Sequence, residues 1–317
     1  MIVDCHVHVQ RYPEHIIKEV WTGWNPGAKK WPEEKFKAVL DQPIERYIEE
    51  MDGVVDKAII VSARLGASMG IEVSNEYIAE VVKRYPDKFA GCACLNPSEE
   101  GAAEELERCV KDLGLVGLGE LVPACQYFYP HDERCFPVWE KAQELGIPVI
   151  IHAGPTQPLI SRLIFSDARY IDEVAVNFPK LKIVICHLGY YKYEDYIHLI
   201  QKNDNVFADI SLLGYLSGLD RRSIRSFLPV VDFGYYYHFL HPLLFYFSQT
   251  FGPTDKLLFG SDYPAASPRR AIEILNGMNK MLREAHLPEI PEQSIHNILY
   301  ENWKKVFSFW DTEGKAA

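Results

Sequence analysis

The sequence predicts one domain of the α/β class, a single (β/α)8 TIM barrel with parallel strands. Eight short apolar runs recur along its 317 residues, stretches of helical character separate most of them, and the runs are nearly continuous in apolar residues. Strands that alternate with helices pair in parallel, strands buried on both faces lose polar alternation, and eight such units close into a barrel. The length exceeds that of a typical domain, but barrels of this kind occupy it as one unit.

In chain order the runs are "IVDCHVH", "KAIIVSA", "FAGCACLNP", "LVGLGEL", "PVIIHAG", "KIVICHLG", "NVFADIS" and "KLLFGSDYP", beginning near residues 2, 57, 89, 115, 148, 182, 205 and 256. After the second run, "SNEYIAEVVKRY" opens on Ser74, whose side chain can cap a helix. After the third, "EEGAAEELERCVKDLG" is rich in strong helix formers. Ahead of the fifth, "ERCFPVWEKAQELG" ends at Gly146, where a left-handed terminator favours glycine. Two connections are long, about 49 residues after the first strand and about 45 after the seventh, where loops in such units run to about 2–6 residues. Both leave C-terminal strand ends, the face that carries active sites in barrels. The first holds Trp21, Trp24 and Trp31 and the seventh the run Tyr235–Tyr237, so each reads as an aromatic cover over the mouth or as a subunit interface. The barrel is expected over residues 1–310, with 311–317 a flexible tail.

Composition narrows the function. With 48% hydrophobic and 24% charged residues the chain reads as soluble and globular, and its formal charge of −11 disfavours a nucleic-acid partner. Seven cysteines without a Cys-X-X-Cys pair read as buried free thiols in a reducing cytosol. Strand parity is expected to turn Cys5 and Cys186 away from the histidines beside them. The start of the chain lacks the pattern of a secretory signal. The apolar segment 227–247 is broken by Asp232, His238, His241 and two prolines, whereas a spanning helix needs about 20 nearly uninterrupted apolar residues. The expected setting is therefore cytoplasmic, with a small-molecule substrate, no nucleic-acid or membrane partner, and a homo-oligomer left open by the aromatic connections.

The chemistry is carried by histidines. His6 and His8, spaced i, i+2 on a strand, point the same way. His152 ends the fifth strand, His187 the sixth and Asp262 the eighth. Singly, a strand-end histidine is ordinarily structural and an Asp before Tyr-Pro a turn former. C-terminal strand ends ring one mouth, however, so all five side chains can aim at a common point and form a metal site. Glu120, on the fourth strand, has inward parity with Leu118 and Val116 and can bind a second cation or hydrogen-bond the site. Arg64, after the second strand, can pair with a substrate carboxylate or form a surface salt bridge.

At "DCHVH", "IIHAG", "ICHLGYY" and "LLFGSDYP" the sequence resembles the amidohydrolase superfamily, in the branch with a stand-alone barrel that includes aminocarboxymuconate semialdehyde and resorcylate-type decarboxylases and various hydrolases. "ENWKKVF" near the end is similar to that branch's Asn-containing C-terminal helix. The resemblance implies that His6, His8, His152 and Asp262 ligate one divalent metal, with His187 beside the metal's water. Zinc is expected, with manganese the alternative in a more oxygen-rich site. Such a cation lowers the pKa of bound water to about 7, which His187 can orient or deprotonate while Asp262 moves a proton. The expected activity is hydrolysis of an amide, ester or lactone, the alternative non-oxidative decarboxylation of an aromatic or enoic acid.

Overall fold

The computed structural model describes residues 1–154, 156, 158–190, 192–216, 236–248 and 254–310. Its centre is an eight-stranded parallel sheet of β1 (Val3–Val7), β2 (Lys57–Ile60), β3 (Phe89–Ala93), β4 (Gly117–Leu121), β5 (Val149–Ile151), β6 (Ile183–Ile185), β7 (Val206–Asp209) and β8 (Leu257–Leu258). Neighbours in the sheet are neighbours in the chain. The sheet closes where β1 meets the chain leaving β8: the Cys5 N–H donates to the Phe259 carbonyl at 2.9 Å and the His8 N–H to the Tyr263 carbonyl at 2.8 Å. The expected barrel is therefore the observed one, with each strand starting within a residue or two of its predicted position.

Local signals explain the helices around it. Ser74 accepts the Tyr77 N–H at the start of helix Asn75–Arg84. Helix Phe136–Leu145 stops at Gly146 with φ +69°, whose N–H reaches back to the Ala142 and Gln143 carbonyls. The apolar side chains form two layers. Inside the barrel, Val3, Cys5, Ile59, Cys92, Ile150, Val184, Cys186, Phe207 and Leu258 pack together, closed below by Trp303, Val306 and Phe307. Between strands and helices lies the larger cluster that includes Ile60, Phe89, Ile151 and Ile185. The "ENWKKVF" segment is a 3₁₀ turn, Asn302–Lys305, rather than part of the helix Glu292–Tyr300 before it. Its Asn302 amide donates to the Leu257 carbonyl at 2.8 Å, which pins the plug to the start of β8.

The long first connection folds into helices Lys18–Trp24, Glu33–Leu40 and Ile44–Met51, with a 3₁₀ turn at Pro26–Lys30. Its tryptophans form a small core of their own instead of standing open as a wall. Trp21 is buried with Tyr12, Ile16, Phe36 and Leu40, while Trp24 and Trp31 pack against that group. The Trp24 indole N–H donates to the Met69 carbonyl at 2.9 Å, so this core rests on the segment that follows β2. Of the Tyr235–Tyr237 run, Tyr237 is exposed; Tyr235 and the tail 311–317 lie outside the described residues. No helix among the described residues is long and apolar enough to cross a membrane.

Two glycines test this account. A Cβ on Gly146 would meet nothing within 4 Å, whereas one on Gly119, at φ +145°, would lie 2.5 Å from the Ile150 carbonyl oxygen. Gly146→Ala should therefore cost about 1 kcal/mol, from its backbone conformation alone. Gly119→Ala adds an overpacked contact with backbone and should cost about 3 kcal/mol or more. Urea-unfolding midpoints of the two variants against wild type check this difference.

Candidate metal centre

Six side chains predicted from sequence meet at the C-terminal mouth. His6 and His8 Nε2 atoms lie 3.2 Å apart. Asp262 Oδ1 stands 3.7 Å from His6 Nε2 and 3.6 Å from His8 Nε2. Across the mouth, Glu120 Oε1 accepts from His152 Nδ1 at 2.8 Å and stands 3.7 Å from His187 Nε2, while its Oε2 is 3.3 Å from His8 Nε2. The His187 ring lies 5.2 Å from that of His6 and 5.0 Å from that of His152. Arg64 does not join this ring. Its Nε donates to Glu72 Oε1 at 3.0 Å across a hairpin whose two strands are each two residues long, and it lines a separate cavity of about 420 Å³ with Asn96, Glu99 and Gln126.

Strand irregularities deliver these side chains. The register of β1 against β2 shifts between Asp4 and Val7, and that of β4 against β5 between Leu118 and Leu121. Simple alternation therefore fails at both places. Leu118 packs outside the barrel while Val116 packs inside, yet Glu120 still reaches the mouth. Parity also fails for the thiols. Cys5 and Cys186 both lie in the inner cluster, and Cys186 comes within 4.8 Å of ligand atoms of His6 and Glu120. All seven cysteines are buried and free of disulfides, as expected.

Two buried carboxylates that sequence reasoning passed over organise the ring. Asp4 accepts from the Ser261 N–H at 2.9 Å, the Ser261 hydroxyl at 2.6 Å, the Tyr47 hydroxyl at 2.8 Å and the His6 N–H at 3.2 Å. This ties the end of β8 to β1 one residue from Asp262, whose own N–H donates to the His6 carbonyl at 2.9 Å. Burial pushes the Asp4 carboxyl up to about 6, against the lowering pull of its four donors. Asp209, at the end of β7, accepts from His6 Nδ1 at 3.0 Å and from the His187 N–H at 3.0 Å. Its signal was present in "VFADIS", an acidic residue ending an apolar strand at the same end of the barrel as Asp262.

The electrostatics favour a cation. Glu120, Asp209 and Asp262 bring three carboxylates to one mouth, and the basic groups that pair with them among the described residues are imidazoles. Burial opposes charge on both sides, yet His6 is held well above the usual imidazole range by Asp209. Asp209 is correspondingly drawn down to about 2 by His6 and His187, and Glu120 well below the usual carboxylate range by His152 and His187. Among the described residues, His6, His8 and Asp262 place ligand atoms within 4.8 Å of one another. His152 Nε2 is buried with no hydrogen-bond partner, although buried polar atoms ordinarily have one. A divalent cation fits both observations.

Comparison with known proteins agrees with this architecture. The family model described as Amidohydrolase matches residues 3–309. A gamma-resorcylate decarboxylase of Polaromonas sp. is 30% identical over 203 residues, 51% of this chain and 60% of that protein. A 2-keto-4-carboxy-3-hexenedioate hydratase of Sphingobium sp. is 27% identical over 228 residues, 60% of this chain and 65% of that protein. The chain thus spans about three fifths of the length of these relatives. A solved dihydroxybenzoic acid decarboxylase from Polaromonas sp., with bound manganese and the inhibitor 2-nitroresorcinol, superposes with a TM-score of 0.61 at 17% identity, covering 100% of this chain and 99% of that one, a likeness of fold.

The Asp4 network predicts a local cost. Ser261→Ala removes one donor to Asp4 and the acceptor of the Tyr263 N–H. Leaving buried groups unmatched should cost about 1–3 kcal/mol, while Lys280→Ala, which breaks an exposed pair with Glu284, should stay within about 0.5 kcal/mol. Paired denaturant titrations measure both.

Proposed function

The chain belongs to the amidohydrolase family, and from that premise we propose that it is a metal-dependent decarboxylase, releasing carbon dioxide without oxidation from a small aromatic or enoic carboxylic acid. The observation that carries the metal dependence of this reading is the ring of imidazoles and carboxylates at the barrel mouth. The chemistry of the named relatives, decarboxylation and hydration, supports lyase chemistry over hydrolysis of an amide, ester or lactone. The metal-ligand motifs alone had favoured hydrolysis.

His6, His8, His152 and Asp262 would hold one divalent cation, zinc or manganese, since mixed imidazole and carboxylate donors suit both. Manganese is the ion in the Polaromonas decarboxylase structure. Glu120 accepts the His152 Nδ1–H and stands 3.3–3.8 Å from the Nε2 atoms of His8, His187 and His6, so it would lie among the groups that hold the ion. Its hydrogen bond to His152 supports a role in orienting that ring, and one cation suffices for the scheme. When bound, the ion supplies a Lewis acid that anchors substrate oxygens and draws off the charge that develops as the carboxylate leaves. The bond between ring or alkene carbon and carboxylate breaks, its electron pair stays on that carbon, and a proton must reach the same atom. In this scheme His187 and Asp262 would carry it. Arg64 has no part in this scheme, being paired with Glu72.

Two measurements test the proposal. Metal analysis after loading with zinc or manganese should find close to one ion per chain, lost in His6→Ala and kept in His187→Asn. A panel of hydroxybenzoates, enoic acids, lactones and amides should show carbon dioxide release from one of the acids. His187→Asn should lower that rate about 10²–10⁴-fold, the size of a general acid–base contribution. Turnover of lactones or amides with no carbon dioxide from any acid would return the assignment to hydrolysis.

A further inference from the structure

The end of β7 does more than neutralise charge. Asp209 is buried, and its Oδ1 accepts three donors: the His187 N–H and the Ser211 N–H, each at 3.0 Å, and the Ser211 hydroxyl. Its Oδ2 accepts from His6 Nδ1. Ser211 is itself fully buried, and its Oγ lies 2.8 Å from His187 Nδ1. The second nitrogen near that hydroxyl, His6 Nδ1 at 3.4 Å, already has the nearer Asp209 oxygen.

Counting protons decides the directions. An ionised carboxylate only accepts, so the single hydroxyl proton of Ser211 is committed to Asp209. The Ser211 oxygen then has only lone pairs left, and His187 Nδ1 must carry a proton to bond it. We propose that Ser211, backed by Asp209, is a positioning residue that fixes the tautomer of His187, with the proton on Nδ1 and the lone pair of Nε2 turned toward the barrel mouth. The same carboxylate fixes His6 in the same sense, so that its Nε2 is left for a ligand. One anionic group thus sets the orientation of a metal-binding imidazole and of a proton-transfer imidazole from their far sides.

The backbone supports this reading. His187 and Leu188 have φ of +56° and +50°, a left-handed pair that non-glycine residues rarely adopt. The bonds from Asp209 and Ser211 hold the first of them at both its N–H and its ring. In this tautomer the neutral ring accepts a proton at Nε2 before it can return one.

The inference rests on His187 as the proton-transfer group, but its first test needs no substrate. In the zinc-loaded full chain labelled with ¹⁵N-histidine, long-range proton–nitrogen correlations report which ring nitrogen is protonated, and His187→Asn identifies the residue's signals. Wild type should show the Nδ1–H form. Ser211→Ala should lose it in favour of the Nε2–H form or a mixture, and Ser211→Thr, which keeps the hydroxyl, should restore it. On a compound that turns over, Ser211→Ala should lower kcat about 10²-fold or more, with KM and zinc content near wild type. An Nε2–H ring in wild type, or an unchanged Nδ1–H form in Ser211→Ala, overturns the proposal. Failure to find any decarboxylated acid would count against the function alone and leave the tautomer result standing.

Discussion

Closure of the sheet between its first and last strands is the constraint on which the site depends. His6 and His8 enter within the first ten residues and Asp262 more than two hundred and fifty later. They meet because the backbone of β1 bonds that of the segment leaving β8, with the His8 N–H on Tyr263 and the Asp262 N–H on His6. Asp4 adds a side-chain clasp through Ser261. In a parallel barrel no hairpin can make that junction, so its geometry comes from the accumulated tilt of eight strands and is then locked by polar contacts. Loosening any part of it would separate the two halves of the ring.

The ring is expensive to build in a dry interior. Isolated carboxylates and imidazoles lose hydration on burial and need compensating bonds or opposite charge. Asp4 has four donors and Asp209 has four, and each donor comes from a residue that must be correctly placed for the mouth to form. These two side chains hold the histidine-bearing strand ends, Asp4 through the His6 N–H and Asp209 through the His6 ring and the His187 N–H. Glu120 performs a similar duty for His152. The rings of His6 and His187 are thus held at Nδ1 by Asp209 and Ser211, while their Nε2 atoms and that of His8 face Glu120.

Beneath this polar layer the barrel is filled with apolar side chains and the thiols of Cys5, Cys92 and Cys186, and it is closed by Trp303 and Phe307. Burial raises these thiols far above their ordinary range, keeping them protonated and uncharged next to the carboxylates. In the small core of Trp21, Trp24, Trp31 and Phe36 the rings of the long first connection bury against one another. Family membership accounts for the common frame.

Much was legible from local pattern. The eight runs, the cap at Ser74 and the stop at Gly146 follow from propensity and short-range hydrogen bonding, which neighbouring residues decide among themselves. His6, His8, His152, His187, Asp262 and Glu120 could be gathered at one mouth because strand ends in a barrel share a face. Other features required the folded chain. Shifts in register undid alternation at β1 and β4, so Cys5 lies inside beside a histidine that also reaches the mouth. Asp4, Asp209 and Ser211 were invisible as partners because their bonds span up to 257 residues. The pairing of Arg64 with Glu72 likewise depends on a hairpin. Sequence alone determined which residue types stand at the strand ends, since apolar periodicity is a local property. Only the tertiary structure decided which atom of each faces which, because the direction of a hydrogen bond depends on groups that meet through closure of the barrel.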